Sequence, residues 1–260
     1  MPGMDMLHAD FTTHAYAPHV HDSLVVAVTE IGGSEFKSRD RTDIAQPQVL
    51  LVFNPAEPHS GRMGGSDRWR YRSFYLGEPA IKHLLRAIGN DRPGYFPSNV
   101  VRDHDLVARF LKLHQALDVE RPDALRHHEL LVGAFGDLLQ RHGQAASHLP
   151  AAPRDAAALA RVLEFIRDSY TESLTLEDMG ATAGLTPFQL IVAFKRTLGL
   201  TPHAYLTQLR LRAALRRLQA GQSVVEAAIS AGFYDQSALN KHFKRTFGMT
   251  PLQYVHASVN

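Results

Sequence analysis

The sequence predicts an α+β chain, β-rich up to about Arg102, helical from Asp103 to His142, and all-α from Asp155 onward. Three observations carry this prediction. Short segments rich in β-branched and aromatic residues, bounded by Gly, Pro and Asp turns, fill the N-terminal part. The apolar spacing then changes from the period of a strand to that of a helix. Finally, FKRTLGLTP (Phe194–Pro202) returns as FKRTFGMTP (Phe243–Pro251), 49 positions later, and each copy ends in Pro-x-x-Tyr, at Tyr205 and Tyr254. A string repeated at fixed spacing marks one supersecondary unit built twice.

In chain order, Leu24–Ile31 (LVVAVTEI) is a Val-rich strand that stops at Gly32-Gly33. Val49–Phe53 (VLLVF) is a short buried strand ending at Asn54-Pro55. Trp69–Leu76 (WRYRSFYL) alternates large apolar and basic residues, the period-2 pattern of a half-buried strand. Short strands with such turns imply a sandwich or a barrel. Three amphipathic helices follow, over Pro79–Gly89, Asp103–Leu117 and Arg121–His142. In the last, Leu125, Leu130, Leu131, Ala134, Phe135, Leu138 and Leu139 form one apolar stripe, which packs either on its own β domain or against a second copy of the chain. Gly143–Arg154 is small, polar and Pro-containing, as expected of a linker, and Asp155 is the expected N-cap of a helix over Ala156–Tyr170. The expected domains are thus 1–102, a helical region 103–142, a linker 143–154 and a final domain 155–260.

Within the duplicated part, Thr175 caps a helix whose first turn carries Glu177 and Asp178, placing acid at the positive end of the dipole. Gly184 makes the turn, and Thr186 with Pro187 begins the second helix. Leu190, Ala193, Phe194 and Leu198 fall on its inner face; Phe188, Gln189, Val192 and Arg196 fall partly outside it. In the second unit Ser223 caps Val224–Ala231, Gly232 turns the chain, and Asp235 caps Gln236–Thr246. There Leu239, Phe243 and Phe247 point inward, leaving Gln236, Ser237, Asn240, Lys241 and Lys244 outside. Each unit has the helix-turn-helix layout. Gln, Asn and Lys read base edges, while Lys195, Arg196, Lys244 and Arg245 suit phosphate or solvent. Between the units a helix from Thr201-Pro202 to about Ala220 spans roughly 28 Å at 1.5 Å per residue, close to the ~34 Å between successive major-groove entries on one face of DNA.

Composition sets the frame. The hydrophobic fraction of 45 % and charged fraction of 21 % are those of a soluble globular protein. No run of 18 apolar residues is present, and the N-terminal segment lacks the basic-then-apolar pattern of a secretion signal. With no cysteine, a reducing compartment is expected, so the expected location is the cytoplasm. From Asp155 onward there are 11 Lys+Arg and 8 Asp+Glu, leaving 17 basic and 18 acidic residues elsewhere. That mild surplus does not establish nucleic-acid binding by itself; the arrangement has to.

The duplicated FKRT-x-G-x-TP-x-x-Y, the Ala-Gly-Leu and Ala-Gly-Phe turns, the Ala228–Ser237 block and the Arg210-Leu211-Arg212 connector resemble the AraC/XylS family of bacterial transcription regulators, over about Asp155–Ala257. The resemblance implies seven helices in two helix-turn-helix lobes. It places Phe188, Gln189, Ile191 and Val192 on the first reading surface and Gln236, Ser237, Ala238 and Lys241 on the second. The family often has a polar residue and then Arg where this chain has Ile191-Val192, so the first lobe reads DNA through thymine methyl groups or mainly touches phosphate.

Over about Leu7–Arg102, His19-Val20-His21, the Asn54–His59 segment and Trp69-Arg70-Tyr71 resemble the cupin-like ligand-binding domain of such regulators. This implies a double-stranded β-sheet barrel with a small-molecule pocket, lined by His19, His21, Glu57, His59, Trp69 and Tyr71. A metal-dependent cupin would need a carboxylate about five residues after His21; Val26 stands there, with Glu30 four residues further on. The expectation is accordingly no metal, no cofactor and no catalysis. The expected partners are double-stranded DNA, a small-molecule effector, a second copy of the chain and, for an activator, RNA polymerase, with no membrane. The alternative is a metal-dependent cupin enzyme carrying a DNA-binding appendage.

Overall fold

The computed structural model describes residues 1–13, 15–63, 65–90, 94–118, 123–144, 156–247 and 250–258. The chain divides into two compact units, Met1–Ala151 and Ala152–Asn260.

The first unit carries β1 (Met4–Phe11), β2 (Ala15–His19), β3 (Leu24–Gly32), β4 (Ser34–Ser38), β5 (Arg41–Ala45), β6 (Leu50–Phe53), β7 (His59–Met63), β8 (Trp69–Leu76), α1 (Glu78–Ile88), β9 (Val100–Val101), α2 (His104–Leu117) and α3 (Ala124–His142). Its strands form two antiparallel sheets, of order β1-β8-β3-β6-β9 and β2-β7-β4-β5. Ala9, Val25, Leu51, Phe53, Trp69 and Tyr71 of the larger sheet share a core with Phe36 and Ala45 of the smaller one.

The alternation in β8 serves two layers. Trp69, Tyr71 and Tyr75 join that core, whereas Phe74 meets Phe110 of α2 and Phe135 of α3 edge-on at 5.9 and 5.8 Å. Arg72, on the same face as Phe74, donates to Glu30, Asp118 and the buried His114. Most of the stripe on α3 is therefore packed within its own unit: Leu131, Ala134, Phe135, Leu138 and Leu139 are buried, while Leu125 and Leu130 are half-buried. Asp103 and Asp123 cap α2 and α3 by accepting from Leu106 N and Arg126 N.

Strands β1, β2, β4, β5, β7 and β9 went unrecognised in the sequence, for identifiable reasons. Pro18 interrupts β2, and the β2–β7 register shifts between Tyr16 and His19. The β4–β5 hairpin turns on Arg39-Asp40, both left-handed at φ 49° and 57°. That is the geometry of a two-residue hairpin turn without its usual Asn-Gly signal. Arg39 is held in this conformation by tertiary contacts, donating to Glu57, to Phe96 O and to Pro97 O.

The second unit holds α4 (Ala156–Ser169), α5 (Leu176–Ala181), α6 (Pro187–Leu198), α7 (Pro202–Gln219), α8 (Val224–Ser230), α9 (Gln236–Phe247) and α10 (Pro251–Ser258). Thr175, Thr186 and Ser223 cap α5, α6 and α8, each in a reciprocal capping box; Asp235 accepts from Ala238 N at 2.7 Å. Gly184 and Gly232 turn the chain at φ +65° and +83°. Both turns close with the same bond, Leu185 N to Gly180 O and Phe233 N to Ala228 O. Asp155 and Gly248, and the side chain of Phe247, lie outside the described residues.

Candidate ligand pocket and nucleic-acid interface

Two turns gather the histidines of the first unit. His19 closes β2 and pairs in register with His59, which opens β7. His21 lies two residues beyond His19, where its carbonyl accepts from Ala56 N at 2.7 Å; Ala56 adopts φ 59° to make that contact. The three ring centroids stand 4.4 Å (His19–His59), 4.8 Å (His19–His21) and 5.2 Å (His21–His59) apart. His59 stacks on Phe53 at 4.0 Å, and His21 meets Tyr75 edge-on at 5.2 Å. Burial pushes the pKa values of His21 and His59 down, which favours neutral imidazoles.

An aromatic group lies alongside. Trp69 and Tyr71 stack at 4.4 Å, the Tyr71 hydroxyl pairs with that of Tyr16 at 2.7 Å, and Phe11 packs on all three. Trp69 Nε1 donates to Thr29 Oγ1. Tyr16 joins the two clusters, its ring 5.8 Å from that of His19. Nothing in the strand-breaking Pro18 context marked Tyr16 in advance. An open cleft of about 660 Å³, lined by Thr12, Thr13, Ala15, Arg62, Met63, Ser66 and Asp67, lies at the Ala15–Arg62 end of β2 and β7, opposite the His19–His59 end.

Glu57 corrects one expectation. It faces inward rather than into a pocket: Oε1 accepts from Ser38 and Asn99, and Oε2 from Arg39, Asn54 N and Asn54 Nδ2. Burial alone would push its carboxyl up, but the hydrogen bonds from Arg39, Asn99, Asn54 and Ser38 outweigh that and hold it down to about 2. All of its acceptor capacity is committed to the protein, so it serves to fix the Asn54–His59 turn.

In the second unit the two lobes present different surfaces. On α9, Ser237, Lys241, Lys244 and Arg245 are exposed and Gln236, Ala238 and Asn240 half-buried, while Leu239 and Phe243 are fully buried. On α6, Lys195 and Arg196 are exposed and Val192 is half-buried. Phe188, Gln189 and Ile191, expected on the first reading surface, are instead buried, at 4 %, 8 % and 1 % exposure. The causes are local. Ile191 lies one turn before Phe194 on the same apolar stripe, and the Gln189 side chain accepts from Thr186 N to complete the capping box. The connector α7 exposes Arg212 and Arg216, but Arg210 turns inward, donating to Tyr170 O and Glu172 O at 2.7 and 2.6 Å.

A small-molecule-type β domain joined to two tandem helix-turn-helix lobes defines a DNA-binding transcription regulator with a ligand-binding domain. The model of the AraC-like ligand binding domain matches residues 1–135, and a helix-turn-helix domain model matches 179–257. An uncharacterised helix-turn-helix transcriptional regulator of Bacillus subtilis, YbfI, is 31 % identical over 84 % of this chain and 79 % of its own length. The activator RhaS of Salmonella paratyphi B is 27 % identical over 70 % of this chain and 65 % of its own. Among solved structures, fatty-acid-bound ToxT of Vibrio cholerae aligns over 98 % of this chain and 95 % of its own, at 11 % identity and a TM-score of 0.43. The chain belongs to the AraC-type family of transcription regulators.

Proposed function

We propose that the N-terminal unit binds a small-molecule effector, and that the C-terminal unit reads two adjacent major grooves with unequal lobes, the second supplying most of the base recognition. The observation that carries this reading is the outer face of α9, where Gln236, Ser237, Asn240 and Lys241 recur at helical spacing above a buried Leu239 and Phe243. These are side chains able to pair with base edges. On α6 the corresponding turns are apolar and largely buried, leaving Val192 for contact and Lys195 and Arg196 for phosphate. The 18-residue α7 is about 27 Å long, which suits lobes set about one turn of DNA apart.

The pocket wall in this reading comprises His19, His21, His59, Trp69 and Tyr71, with Tyr16 added and Glu57 removed. The effector changes DNA affinity only by binding one arrangement of the protein better than another. The working form is a cytoplasmic homodimer that activates transcription through RNA polymerase, and its activity is regulatory rather than catalytic. Among the described residues no helix is long and apolar enough to cross a membrane.

Footprinting on the DNA beside the chain's own gene tests the reading: two protected major-groove segments per protomer are expected. Lys241→Ala should cost about 1–3 kcal/mol at one base position and relax preference there. An equal loss on every sequence would make Lys241 a phosphate contact.

A further inference from the structure

We propose that His19, His21 and His59 form a binding site for one divalent transition-metal ion of the zinc type. One coordinating nitrogen from each of the three rings can be chosen so that all lie within 4.8 Å of one another. Around a tetrahedral ion with metal–nitrogen bonds of about 2.1 Å, the nitrogens stand roughly 3.4 Å apart. Rotation of the half-buried His19 and His21 rings toward His59 is the adjustment that closes the site.

Several features favour a metal over a merely packed histidine cluster. His59 Nδ1 lies 2.9 Å from Glu57 O, so Nδ1 carries the proton and Nε2 keeps its lone pair. A backbone acceptor behind the ring is the usual partner of a ligating histidine. Its carbonyl belongs to the residue fixed by Arg39, Asn54, Asn99 and Ser38, and Phe53 holds the ring plane by stacking. The His21 end is fixed through Ala56 N. Three imidazoles brought together with no carboxylate among them are a neutral, nitrogen-only donor set, which suits zinc, copper or nickel rather than magnesium or calcium.

The missing carboxylate does not count against the site. Val26 is buried on β3, and Glu30 is engaged by His8, Arg70 and Arg72, so neither adds a ligand. Three histidines alone hold a catalytic-type zinc and leave a coordination position open. This proposal does not depend on the effector reading, since the metal is tested without any effector.

The experiment uses the full chain with any affinity tag removed and bound metal stripped by a chelator. Titration with Co(II) should give one ion per chain with the visible absorption of a four- or five-coordinate nitrogen site. X-ray absorption of the Zn(II) form should report about three imidazoles, one ion of this kind being held by three histidines. The double variant His19→Gln/His21→Gln should lose more than about 100-fold in affinity, beyond the 10–100-fold typical of supporting residues. His59→Gln serves as a second variant, and circular dichroism of both checks the fold. A stripped chain that takes up no stoichiometric ion overturns the proposal. So does a folded double variant that keeps the parent's Co(II) spectrum and affinity.

Discussion

In the first lobe Phe194 meets Tyr205 edge-on at 6.0 Å, and in the second Phe243 meets Tyr254 edge-on at 5.6 Å. Both phenylalanines are fully buried, both turns use a left-handed glycine, and both first helices start in a capping box. Outside this shared frame the lobes diverge. Helix α6 buries Phe188, Gln189 and Ile191, whereas α9 leaves Gln236, Ser237, Asn240 and Lys241 at least partly in solvent. Apart from the exposed Lys-Arg pair that both copies share, the duplicated residues hold the scaffold, and the residues that were not duplicated set the difference in surface chemistry. Repetition therefore identifies the architecture, and departures from repetition identify where a sequence preference can reside.

Equivalence of the scaffold is tested by the largest change. Phe194→Ala and Phe243→Ala should each destabilise the second unit by about 3–5 kcal/mol, measured by denaturant unfolding. A cost in one lobe less than half that in the other would break the equivalence. The glycines are predicted to differ. A Cβ on Gly232 would sit 2.8 Å from Thr171 Cα and Tyr170 O, while one on Gly184 would meet nothing within 4 Å. Gly184→Ala should cost only the left-handed strain, about 1–2 kcal/mol. Gly232→Ala adds overpacking, for a total of about 2–5 kcal/mol. Equal losses would show that the second turn is not clamped against the end of α4.

The smallest effect is a pH dependence confined to particular helix ends. Hydrogen bonds from the Thr175 side chain and backbone hold the Asp178 carboxyl below its ordinary 3.8, and those of Ser223 hold Glu226 below 4.5. Depressed carboxyls stabilise their caps above those ordinary values, and that stabilisation is lost as pH falls through the lowered ones. The α6 box uses the uncharged Gln189 and has no such transition. Amide exchange followed through an acid titration should show the starts of α5 and α8 loosening before that of α6. Simultaneous loosening of all three would remove the distinction.

The sequence was most legible where local chemistry and tertiary structure agree. Thr175, Thr186, Ser223, Gly184 and Gly232 act through their immediate neighbours, and β8 shows its alternation openly, so these positions could be read directly. The smaller sheet was illegible because its hairpin relies on Arg39, whose left-handed backbone is secured by contacts to Phe96 and Pro97, far along the chain. Glu57 looked like a pocket residue because three of its four side-chain donor partners, Ser38 and Arg39 in the β4–β5 hairpin and Asn99 before β9, lie far from it in sequence; only Asn54 belongs to its own segment. Helix periodicity put Leu190, Ala193 and Phe194 inside, but could not reveal that the buried face of α6 is wide enough to include Ile191, or that Gln189 closes a cap.

The unequal-lobe account is tested most directly by selecting bound sequences from a random DNA pool with two triple variants. Replacing Gln236, Ser237 and Lys241 by Ala should flatten the base preference over one groove while leaving weak, salt-sensitive binding. Replacing Val192, Lys195 and Arg196 by Ala should weaken binding on all sequences and leave the preferred sequence unchanged. A preference that survives the first set of changes and disappears with the second would contradict the account.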